Sequence, residues 1–163
     1  MAAPVDSIIL AEAKLIKELH GDRFPVPPGF RYLTALDMVV AEGKWYSPVR
    51  ADDARCGPAK QCFRNAGRLV LDEPQRYAYV EGFATIKDIP LTFAHAWVWD
   101  RVEGRALEVT WTDPGTEYLG IAFDSEWFLA WLTAREIWGV LDVPHVILRG
   151  DADPAKYTAK NLP

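Results

Sequence analysis

The hydrophobic period of this chain changes once, near residue 75, and that change limits the folds open to it. Beyond it, "RYAYVEGFATI" places Tyr77, Tyr79, Glu81 and Phe83 at every second position. "LTFAHAWVWD" does the same with Leu91, Phe93, His95, Trp97 and Trp99. Two aromatic, period-two stretches this close together predict neighbouring antiparallel strands. "DRVEG", residues 100–104, is short enough to turn the second strand into a third, "RALEVTW", and "EYLGIAF" reads as a fourth.

Before the change the period is helical. Residues 4–20 place Ile8, Ile9, Ala11, Leu15, Ile16 and Leu19 on one face, with Pro4 suited to the first turn and Gly21 to the stop. "FPVPPGF" is a stiff connector, because its three prolines oppose both helix and ladder. "TALDMVVAEG" has capping-box spacing at Thr34 and Asp37 and ends at Gly43. Residues 44–60 read as loop. A helix follows from Gln61 or Cys62 to about Leu71, closed by Pro74.

After the strands, "SEWFLAWLTAREIWG" predicts a helix from Asp124 or Ser125 to Gly139. Trp127, Ala130, Trp131, Ala134 and Trp138 form its apolar face. "VPHVILR" suggests a short strand, and the tail after Gly150 reads as loose. The order predicts an α+β fold, helices packed on an antiparallel sheet, in a single domain spanning 1–163 with its core over about 30–140.

Charge and composition narrow the function. The net charge of −5, with no run of basic residues, argues against a nucleic-acid partner. No apolar run is long enough for a membrane span, and Asp6, Glu12 and Lys14 interrupt any secretory leader, so a cytoplasmic location is expected. Two cysteines, Cys56 and Cys62, make no disulfide framework and read as free thiols, Cys56 an incidental one. Oligomeric state leaves no signature.

Cys62 falls where a helix begins. Unpaired amides and the helix dipole favour a thiolate there, and the Cys62 N–H can serve as an oxyanion donor, with the Gln61 amide as an addition. The plainer reading is a small buried apolar side chain. His95 lies in mid-strand among aromatics, where a histidine is often a core residue with one nitrogen satisfied.

Taken together, "KQCFRNA", "FAHAWVW" and "LEVTW" resemble the transglutaminase-like core of the wider papain-like cysteine enzymes: Cys at a helix start, His before Ala and Trp, then an acid on the next strand. The likeness covers about residues 58–123. It implies the nucleophile at the N-terminus of a central helix, with Cys62 as nucleophile, His95 as general base and Glu108 as the acid orienting the imidazole. It also implies hydrolysis of a peptide or protein amide without a cofactor, or acyl transfer to an amine. Glu108 and Val109 stand where that family usually has Asp and Pro, and Gln61 lies nearer the Cys than the papain oxyanion glutamine does.

Strand register bears on the acid independently. If His95 opposes Glu108, the loop is residues 100–103 and both side chains share a face. A one-residue slip turns Glu108 away and leaves Asp113 in reserve. Glu81 either faces the cleft or pairs with an arginine, and Gly82 permits close backbone approach. Cys56, Cys62, His95 and His145 do not have usual zinc spacing, and no nucleotide-binding or serine-hydrolase motif is present. The rival function is a binding module that uses the tryptophan-rich hairpin as its contact surface.

Overall fold

The computed structural model describes residues 4–20, 25–141 and 157–159. Gly21, the expected strand at 143–149 with His145, and most of the tail after Gly150 lie outside the described residues.

Among the described residues four helices pack with a six-stranded sheet: α1 (Ile8–His20), α2 (Ala35–Glu42), β1 (Lys44–Tyr46), β2 (Val49–Arg50), α3 (Cys62–Asp72), β3 (Tyr77–Thr85), β4 (Thr92–Asp100), β5 (Arg105–Glu108), β6 (Glu117–Ala122) and α4 (Ser125–Arg135). The spatial order is β1-β6-β3-β4-β5-β2. The fold is α+β as expected, but the sheet is mixed, because β2 runs parallel to β5. Nor do the last four strands form a simple meander. β6 crosses back to pair with β3, putting β3 and β4 at the centre. The supposed loop at 44–60 supplies both edge strands, which are too short to show a period.

Local chemistry sets the helix ends. α1 starts at Ile8 rather than in the turn of Pro4, because the buried Glu117 carboxylate accepts from Ser7 Oγ and from the Ile8 and Ile9 amides. Ser7 Oγ in turn accepts from the Leu10 amide. The Thr34–Asp37 capping box of α2 is present, with Gly43 as its C-cap. Asp124 caps α4 through the Trp127 amide. That helix ends at Arg135, with Glu136 left-handed at its C-cap, so Trp138 sits beyond it.

The sheet is buried on both sides. Tyr79, Ala96, Val98, Leu107 and Ile121 pack with Ala66 and Val70 of α3 and Phe128 of α4. Val80, Ala84, Trp97, Ala106 and Tyr118 form a second cluster with Tyr46. Ile9, Ala13 and Tyr157, outside the 30–140 stretch, also enter the core. Within the supposedly loose tail, residues 157–159 dock on the sheet. Thr158 bridges Phe123, and the Tyr157 carbonyl accepts from the Asp124 amide at 2.7 Å.

Register across the centre determines the surroundings of His95. Gly120, Gly82 and His95 form one row over β6, β3 and β4. A Cβ on Gly82 would lie 2.1 Å from the Leu119 carbonyl oxygen, and one on Gly120 2.6 Å from the Trp97 ring. The two glycines let the strands close up and leave a trough that Trp97 fills, as the sequence reading of Gly82 anticipates.

Candidate active site

Cys62 is the first residue of α3 and is half-buried. Lys60, two residues earlier, has φ 64°, a left-handed turn that aims the chain into the helix. Gln61 is the N-cap but makes no capping hydrogen bond. Its Oε1 accepts from Arg64 Nη1 at 3.1 Å, and the Nε2 donors that an oxyanion would use take no part in that bond. The first-turn amides are not capped by the residue before them.

His95 is 1% exposed. The β4–β5 ladder runs only from Val98 to Asp100, which leaves the flank of β4 at His95 open to the first turn of α3. There the Cys62 side chain stands near enough to raise the pKa of the imidazole. On its other side His95 Nε2 lies 2.8 Å from Glu108 Oε2. Trp111 stacks on the ring, centroids 3.8 Å apart and planes 15° from parallel.

The anticipated register is off by two residues. Val98 opposes Leu107 and Asp100 opposes Arg105, so the turn is residues 101–104 and His95 does not face Glu108 directly. A two-residue shift preserves the face. Glu108 therefore stays on the side of His95 and reaches it diagonally, a span suited to its extra methylene. Asp113 is exposed beyond the strand, and the carboxylate that meets the imidazole is Glu108.

Glu108 is held from four directions. Its Oε1 accepts from the Thr110 amide at 2.8 Å and the Trp111 amide at 2.9 Å. Its Oε2 accepts from His95 and from the Tyr118 hydroxyl, the latter at 2.8 Å. The Tyr118 oxygen in turn accepts from the Gly115 amide at 2.7 Å. Burial pushes the Glu108 carboxyl up, but the hydrogen bond and charge of His95, with these donors, outweigh it and hold the pKa below its ordinary value.

The opposite balance operates on His95. Burial favours the neutral ring, yet hydrogen bonds to Cys62 and Glu108 push the pKa up to about 9 from 6.5. A carboxylate with four donors, a protonated ring and a sulfur thus stand in sequence, the order of parts in a nucleophile–base–orienter unit.

Several supporting residues escaped the sequence reading. Asn65, one helical turn past Cys62, donates from Nδ2 to the Pro58 carbonyl at 2.8 Å and to Thr110 Oγ1 at 2.9 Å. It ties the Cys helix to the strand end that carries the acid. Its position in "CFRNA" was the available signal, since i and i+3 share a helix face. Tyr118 carries no sequence signal for its role, because its reach to Glu108 depends on β6 crossing back.

Glu81 is not part of this group. It is 2% exposed and accepts from the Tyr79 hydroxyl at 2.8 Å and from the Val140 and Leu141 amides at 2.7 and 2.9 Å. Backbone amides of the segment after α4 thus hold this carboxylate. Cys56 is half-buried, with Sγ 3.5 Å from the Ala51 carbonyl oxygen, and burial pushes its thiol pKa up. Both cysteines are free. Among the described residues no group of three or more His, Cys, Asp or Glu side chains is placed to hold a metal ion.

Two hollows bear on the site. One of about 340 Å³ adjoins the first turn of α3, lined by Gln61, Phe63, Arg64, Ile137, Trp138 and Gly139. A larger one, about 570 Å³, lies between α1 and α2, and neither hollow is lined by Cys62, His95 or Glu108 themselves. Among the described residues no helix is long and apolar enough to cross a membrane.

Comparison with protein-family models, curated proteins and solved structures finds no match for this chain. What the site can do rests on its own geometry.

Proposed function

We propose that the chain is a cysteine-dependent hydrolase of amide bonds, peptide or protein amides being its substrates, on a transglutaminase-like core, with Cys62, His95 and Glu108 as its catalytic unit. The observation that carries this reading is the imidazole clamped between Glu108 and Cys62, its pKa pushed up to about 9 despite burial. A core histidine with only one nitrogen satisfied does not need a sulfur on its other side. A cationic ring between a carboxylate and a sulfur can stabilise a thiolate and hand a proton to a leaving group.

The chemistry follows from these atoms. His95 takes the Cys62 proton as the sulfur attacks the amide carbonyl carbon to form a C–S bond. The oxyanion accepts hydrogen bonds from amides of the first turn of α3. As the C–N bond breaks, His95 passes its proton to the leaving amine. Water then adds to the thioester, giving a proton to His95. The C–S bond breaks, a carboxylic acid departs, and the sulfur recovers its partner. Glu108 orients the ring and stabilises its charge throughout. Release to an amine instead of water requires a second substrate site, and the hollow beside α3 is of modest size.

None of the seven tryptophans stands among the exposed large apolar residues. That favours the enzyme over a module binding through a tryptophan surface. The test is a library of electrophilic amide analogues, read by mass spectrometry of the protein. Adducts on Cys62 that vanish in His95→Ala support the reading; a Cys62→Ala protein that still hydrolyses the corresponding amides excludes it.

A further inference from the structure

The hollow beside the first turn of α3 is built on a rigid wall. Trp138 packs over Gly67, where an added Cβ would lie 2.6 Å from its ring. Trp131 Nε1 donates to the Gly139 carbonyl at 3.2 Å. The buried Glu81 carboxylate fastens the next two amides, those of Val140 and Leu141. A carboxylate is costly to bury, and its satisfaction by backbone from a different element fixes that segment in place. Opposite this wall stand the residues that flank the nucleophile, Gln61, Phe63 and Arg64.

The lining is mixed in one specific way. Phe63, Ile137 and Trp138 are apolar, two of them flat rings. Arg64 is exposed, and its recorded partner is the neutral Gln61 amide, not an acid. A preformed apolar hollow with one cation at its mouth suits an apolar body carrying a negative charge.

We propose that this hollow is the acyl subsite, selecting amides whose acyl group has an aromatic body ending in a carboxylate, which pairs with Arg64 while the ring lies against Phe63 and Trp138. This rests on Cys62 being the attacking residue, whose sequence neighbours Gln61 and Phe63 line the hollow. Glu81 is then a positioning residue, acting through the wall it holds.

Three amides test it: 3-(4-carboxyphenyl)propanamide, its uncharged parent 3-phenylpropanamide, and adipic acid monoamide, which has the charge without the ring. Each is titrated by ligand-observed NMR into the Cys62→Ala protein, and ammonia release is followed with the unaltered enzyme. The aromatic acid should bind tightest. Arg64→Gln should weaken it about threefold while sparing the uncharged parent, as expected of an exposed ion pair. Trp138→Ala should weaken both aromatic amides about tenfold or more. Ile137→Ala, at an exposed position, makes the same test with less demand on folding. Equal binding of all three amides, or binding indifferent to Arg64 and to the wall, overturns the subsite. Selective binding without ammonia release keeps the subsite and removes the hydrolase reading; release without selectivity does the reverse.

Discussion

At the scale of single residues the decisive fact is how the charge on His95 is held. Glu108 is ionised because four donors, one of them the cationic His95 ring, compensate its burial, and the imidazole keeps its proton because that carboxylate and the Cys62 sulfur flank it. Replacing Glu108 by Gln retains the shape and removes the charge. The His95 pKa should then fall from about 9 toward 6.5. The proposed hydrolysis needs a protonated ring for the leaving amine, so the unaltered protein should lose turnover as pH rises through about 9. In Glu108→Gln that loss should begin at lower pH, with the maximal rate down by about 10²-fold or more. A pH–rate profile measures both, and a high-pH limb that stays in place means that Glu108 does not govern the ring.

At the scale of elements, the site depends on how α3, β4, β5 and β6 are fastened together. Asn65 joins α3 to Pro58 and Thr110, and Asn65→Ala leaves both acceptors without their donor, a cost of about 1–3 kcal/mol. Gly120→Ala drives a methyl group into the Trp97 ring, 2.6 Å from the ideal Cβ, and overpacking of this kind costs about 1–3 kcal/mol. Chemical denaturation should register both, Gly120→Ala with a loosened His95 ring as well. The elements differ in how plainly the sequence announces them. The long alternating strands β3 and β4, the capped helix α2 and the Cys62 helix are legible because their periods extend over two turns or more, or carry a cap. β1 and β2 are three and two residues long, too short for any period, and their pairing is decided by β6 and β5. The face shared by His95 and Glu108 is legible from parity, whereas the two-residue register shift is not, because parity is blind to it. The reach of Tyr118 to Glu108 and the role of Glu81 depend on a crossover and on a loop after α4, neither of which has a local signature.

At the scale of the whole molecule, the buried Glu108–His95 pair links stability to pH. The folded pKa of His95 is raised, so its contribution is complete below the unfolded value of 6.5 and is lost as pH rises through about 9. The folded pKa of Glu108 is lowered, so its contribution is present above the ordinary 4.5 and is lost as pH falls through the lower folded value. Stability from the pair is therefore greatest between about 4.5 and 6.5. Urea unfolding of the unaltered protein and of Glu108→Gln should differ most in that window, on the order of 3 kcal/mol, and converge at alkaline pH. A difference independent of pH would mean that the pair is not charged in the folded state.

The most direct measurement compares the two thiols of the same molecule. Iodoacetamide at neutral pH, with adducts located by peptide mass spectrometry, should label Cys62 at least about tenfold faster than Cys56, whose thiol is pushed up by burial. His95→Ala should abolish that advantage while leaving Cys56 unchanged. Equal, slow labelling of both cysteines, indifferent to His95, would contradict the thiolate–imidazolium pair on which the proposed chemistry rests.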